Sequence, residues 1–171
     1  KALAEEILAR GKYRWIAYEL IANHPDAFEL LERHMIEQLG QGMNSWDSVD
    51  DFARIISGPA WRDGLINTGV IRTWAMSPSR WWRRAALVST VALNVRSRGG
   101  NGDAYKTLSV CEILAGDHDD MVIKALSWAL RELVIHDPVA VRNFLQKHEH
   151  RLAARVKREV NNKLHTGLKS P

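Results

Sequence analysis

A chain of 171 residues, 46% of them apolar, has material for one packed domain, and a formal charge of +4 leans towards anionic partners without requiring one. The single cysteine, Cys111, excludes an intrachain disulfide and a cysteine metal cluster, and fits a reducing, cytoplasmic setting. No run of about 18 apolar residues occurs and no signal peptide is visible, so no membrane partner is expected.

Residues 1–10 carry Leu3, Ile7 and Leu8 at helical spacing, with Gly11 able to end the helix; 12–23 repeats the pattern through Trp15, Ile16, Leu20 and Ile21. Pro25 fits the first turn of a helix over 26–39 with a stripe of Phe28, Leu31, Met35 and Leu39. Gly40 to Gly42 form a turn into a helix from about 46 to 56, started by Asn44 or Ser45 and ended at Ser57-Gly58-Pro59. Residues 60–75 read as a weaker helix, or two short ones, because of Gly64 and Gly69. After Ser77-Pro78-Ser79 a helix over 80–95 places Trp81, Ala85, Val88 and Ala92 along one side, leaving Trp82 unassigned. Residues 98–102 read as the loosest turn. Helices then follow over 104–115, 121–134, from 138, and over about 151–164, before a polar tail at 166–171. Cys111, among Leu108, Val110, Ile113 and Leu114, reads as a buried thiol.

No segment alternates with period two for long enough to predict a strand, so the chain reads as all-α. Short turns between helices allow a bundle or a stacked solenoid. Two features favour the solenoid. His24-Pro25-Asp26 and His136-Asp137-Pro138 both start a helix just after an apolar one, and Asp50, Arg84 and Trp128 stand 34 and 44 residues apart, near the about 40–47-residue period of HEAT-type pairs. In such a stack residues one repeat apart meet on a concave face.

On the helix that begins at residue 46, Trp46 and Asp50 are four residues apart, so an indole and a carboxylate share one ridge. Placed on one face with them are Arg84, Trp128 and Arg131. Taken singly, each has a plainer reading: Trp46 as a helix-start staple, Trp128 as core, Arg83 and Arg84 as surface ion pairs, Asp47 as a capping acid. His148 and His150 point to different helix faces and suggest no metal site, and the glycines at 99–102 precede no phosphate-binding motif.

Three motifs in order, S-W-D-S-V-D, W-x-x-R-A-A and K-A-x-x-W-x-L-R-E, resemble the HEAT-like alkylpurine DNA glycosylases of the bacterial DNA alkylation repair family, over residues 13–164. K-R-E-V at 157–160 is similar to the basic closing helix of that family. The resemblance implies a single helical-repeat domain over 1–171, HEAT-like antiparallel pairs stacked in an α-solenoid with a concave basic face, and a missing leading repeat. It implies Asp50 as the catalytic acid, Trp46 and Trp128 facing the deoxyribose, and Arg84 and Arg131 on DNA, with Arg83, Lys157 and Arg158 as further DNA contacts. The implied partner is double-stranded DNA containing alkylated purines, met in the bacterial nucleoid by a monomer without metal or organic cofactor, with the lesion left in the base stack.

The residue types suit that chemistry on their own terms. A purine alkylated on a ring nitrogen is cationic and leaves readily, so the remaining task is to stabilise an oxocarbenium-like sugar and position water, which a carboxylate can do. Indole faces attract the developing positive charge, by roughly 0.5–2 kcal/mol each. Arginines can hold phosphates bidentately and fix the register of the backbone without reading sequence. The alternatives are a catalytically silent DNA-structure binder on the same scaffold and a protein-interaction scaffold with a basic face.

Overall fold

The computed structural model describes residues 6–8 and 13–170. Among these, all regular structure is helical, and no helix is long and apolar enough to cross a membrane. Residues 6–8 are helical; the remainder of the helix expected over 1–10 lies outside the described residues. The helices are α1 (Arg14–Ala22), α2 (Pro25–Glu29), α3 (Arg33–Gly40), α4 (Trp46–Phe52), α5 (Gly58–Arg62), α6 (Thr68–Ala75), α7 (Arg80–Asn94), α8 (Ala104–Leu114), α9 (Asp120–Leu133), α10 (Pro138–Lys147) and α11 (Ala154–Thr166). A π-turn, Ala53–Ser57, joins α4 to α5, and a 3₁₀ turn, Arg96–Arg98, follows α7.

The centre of the molecule is α7, which packs against α4, α5, α6, α8 and α9. Its residues from Arg84 to Asn94 are all buried, so the single apolar side expected from the sequence is extended to the whole circumference. Small residues make this possible, and the polar ones are satisfied locally. Ser89 donates to the Ala85 carbonyl and shares a 2.7 Å hydrogen bond with Ser57; Thr90 donates to the Leu87 carbonyl; Asn94 donates to Thr107 and accepts from the Asp103 N–H.

Successive neighbours α1, α4, α7, α9 and α11 pack in a row, while α6 and α8 pack on each other and on α7. Side-chain bonds between neighbouring elements recur at a nearly constant separation: Ser57 with Ser89 at 32 residues, Asp50 with Arg84 and Arg83 with Asp117 at 34, Glu112 with Lys147 and Asp120 with Arg155 at 35. Each element thus reaches its counterpart about one helix pair further on, at the 34-residue spacing of Asp50 and Arg84 and below the about 40–47-residue period expected from the sequence.

Two expectations about local structure are corrected. Ser57-Gly58-Pro59 does not end the helix; Ser57 and Gly58 stay in right-handed helical conformation and the chain continues to Arg62. The wide π-turn accommodates Pro59, whose nitrogen has no hydrogen to donate to the preceding turn. Gly58 serves close packing instead: a Cβ there would stand 2.5 Å from the Ala92 Cβ and 2.8 Å from the Ser89 carbonyl oxygen. The helix expected over 26–39 breaks between α2 and α3. Leu31 and Ile36 are five residues apart and would diverge on one straight helix, and the break lets both enter the core while Leu30 stays exposed. In the turn at 98–102 only Gly100 is buried, and Gly100 and Gly102 donate to the Val95 and Leu93 carbonyls at 3.0 Å each.

Trp82 joins an aromatic cluster, 4.9 Å from Trp74 and 5.9 Å from Phe52 between ring centroids, with Tyr18 on the other edge of Phe52. Trp81 is only partly buried and carries the Arg80 guanidinium over its ring. Cys111 is fully buried, and burial pushes its thiol well above the ordinary range. Because the α5–α7 contact leaves no room at Gly58, Gly58→Ala is expected to lower stability by about 1–3 kcal/mol through overpacking, measured as a shift in urea midpoint at unchanged slope.

Candidate active site

Ser45, in extended conformation, starts α4; its N–H donates to the Ser48 hydroxyl at 3.4 Å and Ser48 donates back to the Ser45 carbonyl at 3.0 Å. A hydrogen bond from Ser45 lowers the carboxyl pKa of Asp47, in the exposed first turn. Val49 and Phe52 anchor the helix in the core. The opposite ridge carries Trp46, Asp50 and, one turn on in the π-turn, Arg54, all at four-residue spacing. Along this ridge Trp46 is 58% exposed whereas Asp50 is 8% exposed. Trp46 is therefore no buried staple.

Asp50 is gripped by Arg84 of α7. The guanidinium Nε donates to Oδ1 and Nη2 to Oδ2, both at 2.8 Å, in a buried fork-to-fork pair. The remaining nitrogen, Nη1, donates to the Met121 carbonyl at 2.6 Å in the first turn of α9. One guanidinium thus ties together α4, α7 and α9. Burial raises the Asp50 carboxyl pKa above the ordinary aspartate value, opposed by the hydrogen bonds and charge of Arg84 and, more weakly, by the charge of Arg54. Burial likewise raises neighbouring Asp51.

Trp128 on α9 is partly buried; its indole N–H donates to Glu132 at 2.9 Å. The Arg54 guanidinium lies over its ring, 5.9 Å from the centroid. Since Arg54 also acts on Asp50, the structure brings Asp50, Arg84, Arg54 and Trp128 into one neighbourhood, with Trp46 one turn before Asp50 on the same ridge.

The other arginines singled out by sequence have protein partners. Arg83 donates to Asp117 at 2.7 Å and to the Ser77 and Pro78 carbonyls. Arg131 donates to Ser127 at 3.3 Å and lies 3.9 Å from Glu159, which itself accepts from Ser127 at 2.7 Å. Burial lowers the Arg131 pKa, against the charges of Glu159 and Glu132. On α11, Lys157 reaches the Glu149 carbonyl at 3.4 Å, and Arg158 is exposed. Among the described residues no group of three His, Cys, Asp or Glu side chains is arranged to hold a metal ion.

Arg54 was not picked out from the sequence. The signal was there, since within the helix expected over 46–56 it continues the spacing of Trp46 and Asp50.

The family model described as DNA alkylation repair enzyme matches residues 1–164. The chain belongs to that family. No curated protein and no solved structure matches the chain significantly. Membership in a family of DNA alkylation repair enzymes supports a role as an enzyme in DNA repair.

The buried pair yields a stability prediction. Arg84→Met leaves a buried carboxylate without its partner and is expected to cost about 3–5 kcal/mol, whereas the double variant Asp50→Leu, Arg84→Met recovers most of that loss. Chemical denaturation of the single and double variants measures it; equal loss in both would show that the pair is not the source.

Proposed function

We propose that the protein is a DNA glycosylase that hydrolyses the N-glycosidic bond of cationic alkylated purines in duplex DNA. The observation that carries this reading is a carboxylate, Asp50, fixed bidentately by Arg84 on a ridge that begins with an exposed indole, with a second indole on the neighbouring α9. A stacked HEAT-like arrangement, supported by the row of helices and the 32–35-residue spacing of their bonds, would give this ridge a concave surface against which a duplex can lie.

The alkylated base already carries positive charge and departs as a neutral molecule. As the bond lengthens, positive charge passes to the deoxyribose, and Asp50 stabilises it through space and orients the attacking water. Arg84 has a supporting role. It favours the ionised carboxylate against the effect of burial and holds it in one orientation, so little reorganisation is needed as charge develops. Trp46 and Trp128 add the attraction of their indole faces, roughly 0.5–2 kcal/mol each. The exposed Arg158 and half-exposed Lys157 are suited to phosphates further along the backbone; Arg83 and Arg131, held by their own carboxylates, act first as struts.

The test is release of free base from methylated duplex DNA by the purified chain. Asp50→Asn is expected to lower the release rate by about 100-fold or more while leaving duplex affinity within severalfold. Base release as fast as the parent's would sink the reading, and a parent that binds duplex but releases no base would favour a non-catalytic binder. A pH dependence follows from the raised carboxyl. Protonation removes the charge the reaction needs, so release falls as pH drops through the Asp50 pKa, at a higher pH than an ordinary aspartate would give. Arg84→Gln removes a cation that favours the ionised form, so the acid limb of kcat/KM is expected to move to still higher pH.

A further inference from the structure

The three arginines that the sequence offered for DNA at this site are occupied: Arg84 by Asp50 and the Met121 carbonyl, Arg83 by Asp117 and two carbonyls, Arg131 by Ser127 and Glu159. Arg54 differs. It is half-buried, one turn after Asp50 on the same ridge, and among the described residues its guanidinium forms no hydrogen bond or ion pair; it lies over the Trp128 face at 5.9 Å and acts on Asp50 and Asp51 through charge alone. A guanidinium whose donors are not bonded to either nearby carboxylate is open to a bidentate oxyanion.

The place where Arg54 rests is informative. The face of Trp128 attracts cations, and in the free protein a cation from the chain itself lies over it. A nucleotide carrying positive charge would compete for that face and repel the guanidinium. Displaced from the indole, Arg54 would meet the phosphodiester that necessarily accompanies such a nucleotide. A flexible side chain rooted on a rigid turn can make that exchange without moving α4 or α9.

We propose that Arg54 is the phosphate clamp of this site, lying on the Trp128 indole in the free protein and moving to the backbone phosphate beside the nucleotide when duplex DNA binds. The occupant of the Trp128 face in this scheme rests on the glycosylase reading; the phosphate contact does not. The exchange makes Arg54 a positioning residue: it fixes the sugar relative to Asp50 and takes no part in bond breaking.

The experiment is a salt titration of duplex binding by the full chain, its Arg54→Gln and its Arg54→Lys variants, with circular dichroism to confirm folding. Each phosphate neutralised contributes about 0.9 to the slope of log affinity against log salt. Arg54→Gln is expected to make the slope shallower by about that amount, and Arg54→Lys, which keeps the charge, to restore it. On methylated duplex, Arg54→Gln should raise KM and lower kcat, each severalfold, with Arg54→Lys recovering part of both. An Arg54→Gln slope equal to the parent's overturns the proposal, as does a lysine variant as shallow as the glutamine one. A parent that binds duplex but releases no base defeats the glycosylase reading alone, because the slopes still report on Arg54. A parent with no affinity for duplex defeats both.

Discussion

The Asp50–Arg84 pair is the contact on which the arrangement of the site depends. A buried ion pair adds little net stability, because removing both charges from water offsets most of their attraction. What it does provide is geometry. A planar guanidinium that must satisfy two carboxylate oxygens at 2.8 Å and a carbonyl of another helix has very few poses, so α4, α7 and α9 can be joined through it in essentially one way. An apolar contact of equal area would tolerate sliding along the helices; this one does not. The ridge carrying Trp46 and Asp50 is thereby held at a set height relative to the helix carrying Trp128.

A related device recurs further along the row. Ser127 and Arg131 of α9 face Glu159 of α11, which is buried and also draws Arg155 and Lys169 to within 4 Å. In both places a carboxylate and a guanidinium cross a helix interface. The two differ in what remains open. Glu159 is surrounded by three cations and a hydroxyl, whereas Asp50 has one guanidinium in bonding contact. A carboxylate offers about four lone-pair directions, and a fork-to-fork pair uses two of them. Asp50 therefore keeps accepting capacity that Glu159 has largely spent.

The fold class was legible in the sequence because helical periodicity was strong and strand alternation absent. The ridge was legible for a related reason: Trp46 and Asp50 at a spacing of four could only share a face once the helix was recognised. Less legible was the direction in which each arginine points. Arg84 looked like a phosphate ligand and is buried against Asp50, and nothing in R-W-W-R-R tells an inward guanidinium from an outward one, since long flexible side chains serve both uses. At Ser57-Gly58-Pro59 glycine and proline have other causes than those the sequence suggested: close approach to α7 and a widened turn, not a helix end. The break at Leu30 left no local signal, because it satisfies the core positions of Leu31 and Ile36 and not a turn preference.

On the proposed glycosylase reading, a site that stabilises passing positive charge faces a difficulty inherent in its chemistry, since the protein's own cations are drawn to the same acid and the same indoles. In a chain with more basic than acidic residues this competition is constant. The structure meets it by separating the two attractions. Arg84 is allowed onto the acid, where its charge lowers the potential available to a substrate but also opposes the rise in carboxyl pKa that burial causes. Arg54 is kept off the acid and rests on an indole, an attraction of roughly 0.5–2 kcal/mol that a bound ligand can readily replace. The strong contact is thus assigned to the cation that must stay and the weak one to the cation that can leave, so the site remains charged, ordered and open to a competing cation at the same time.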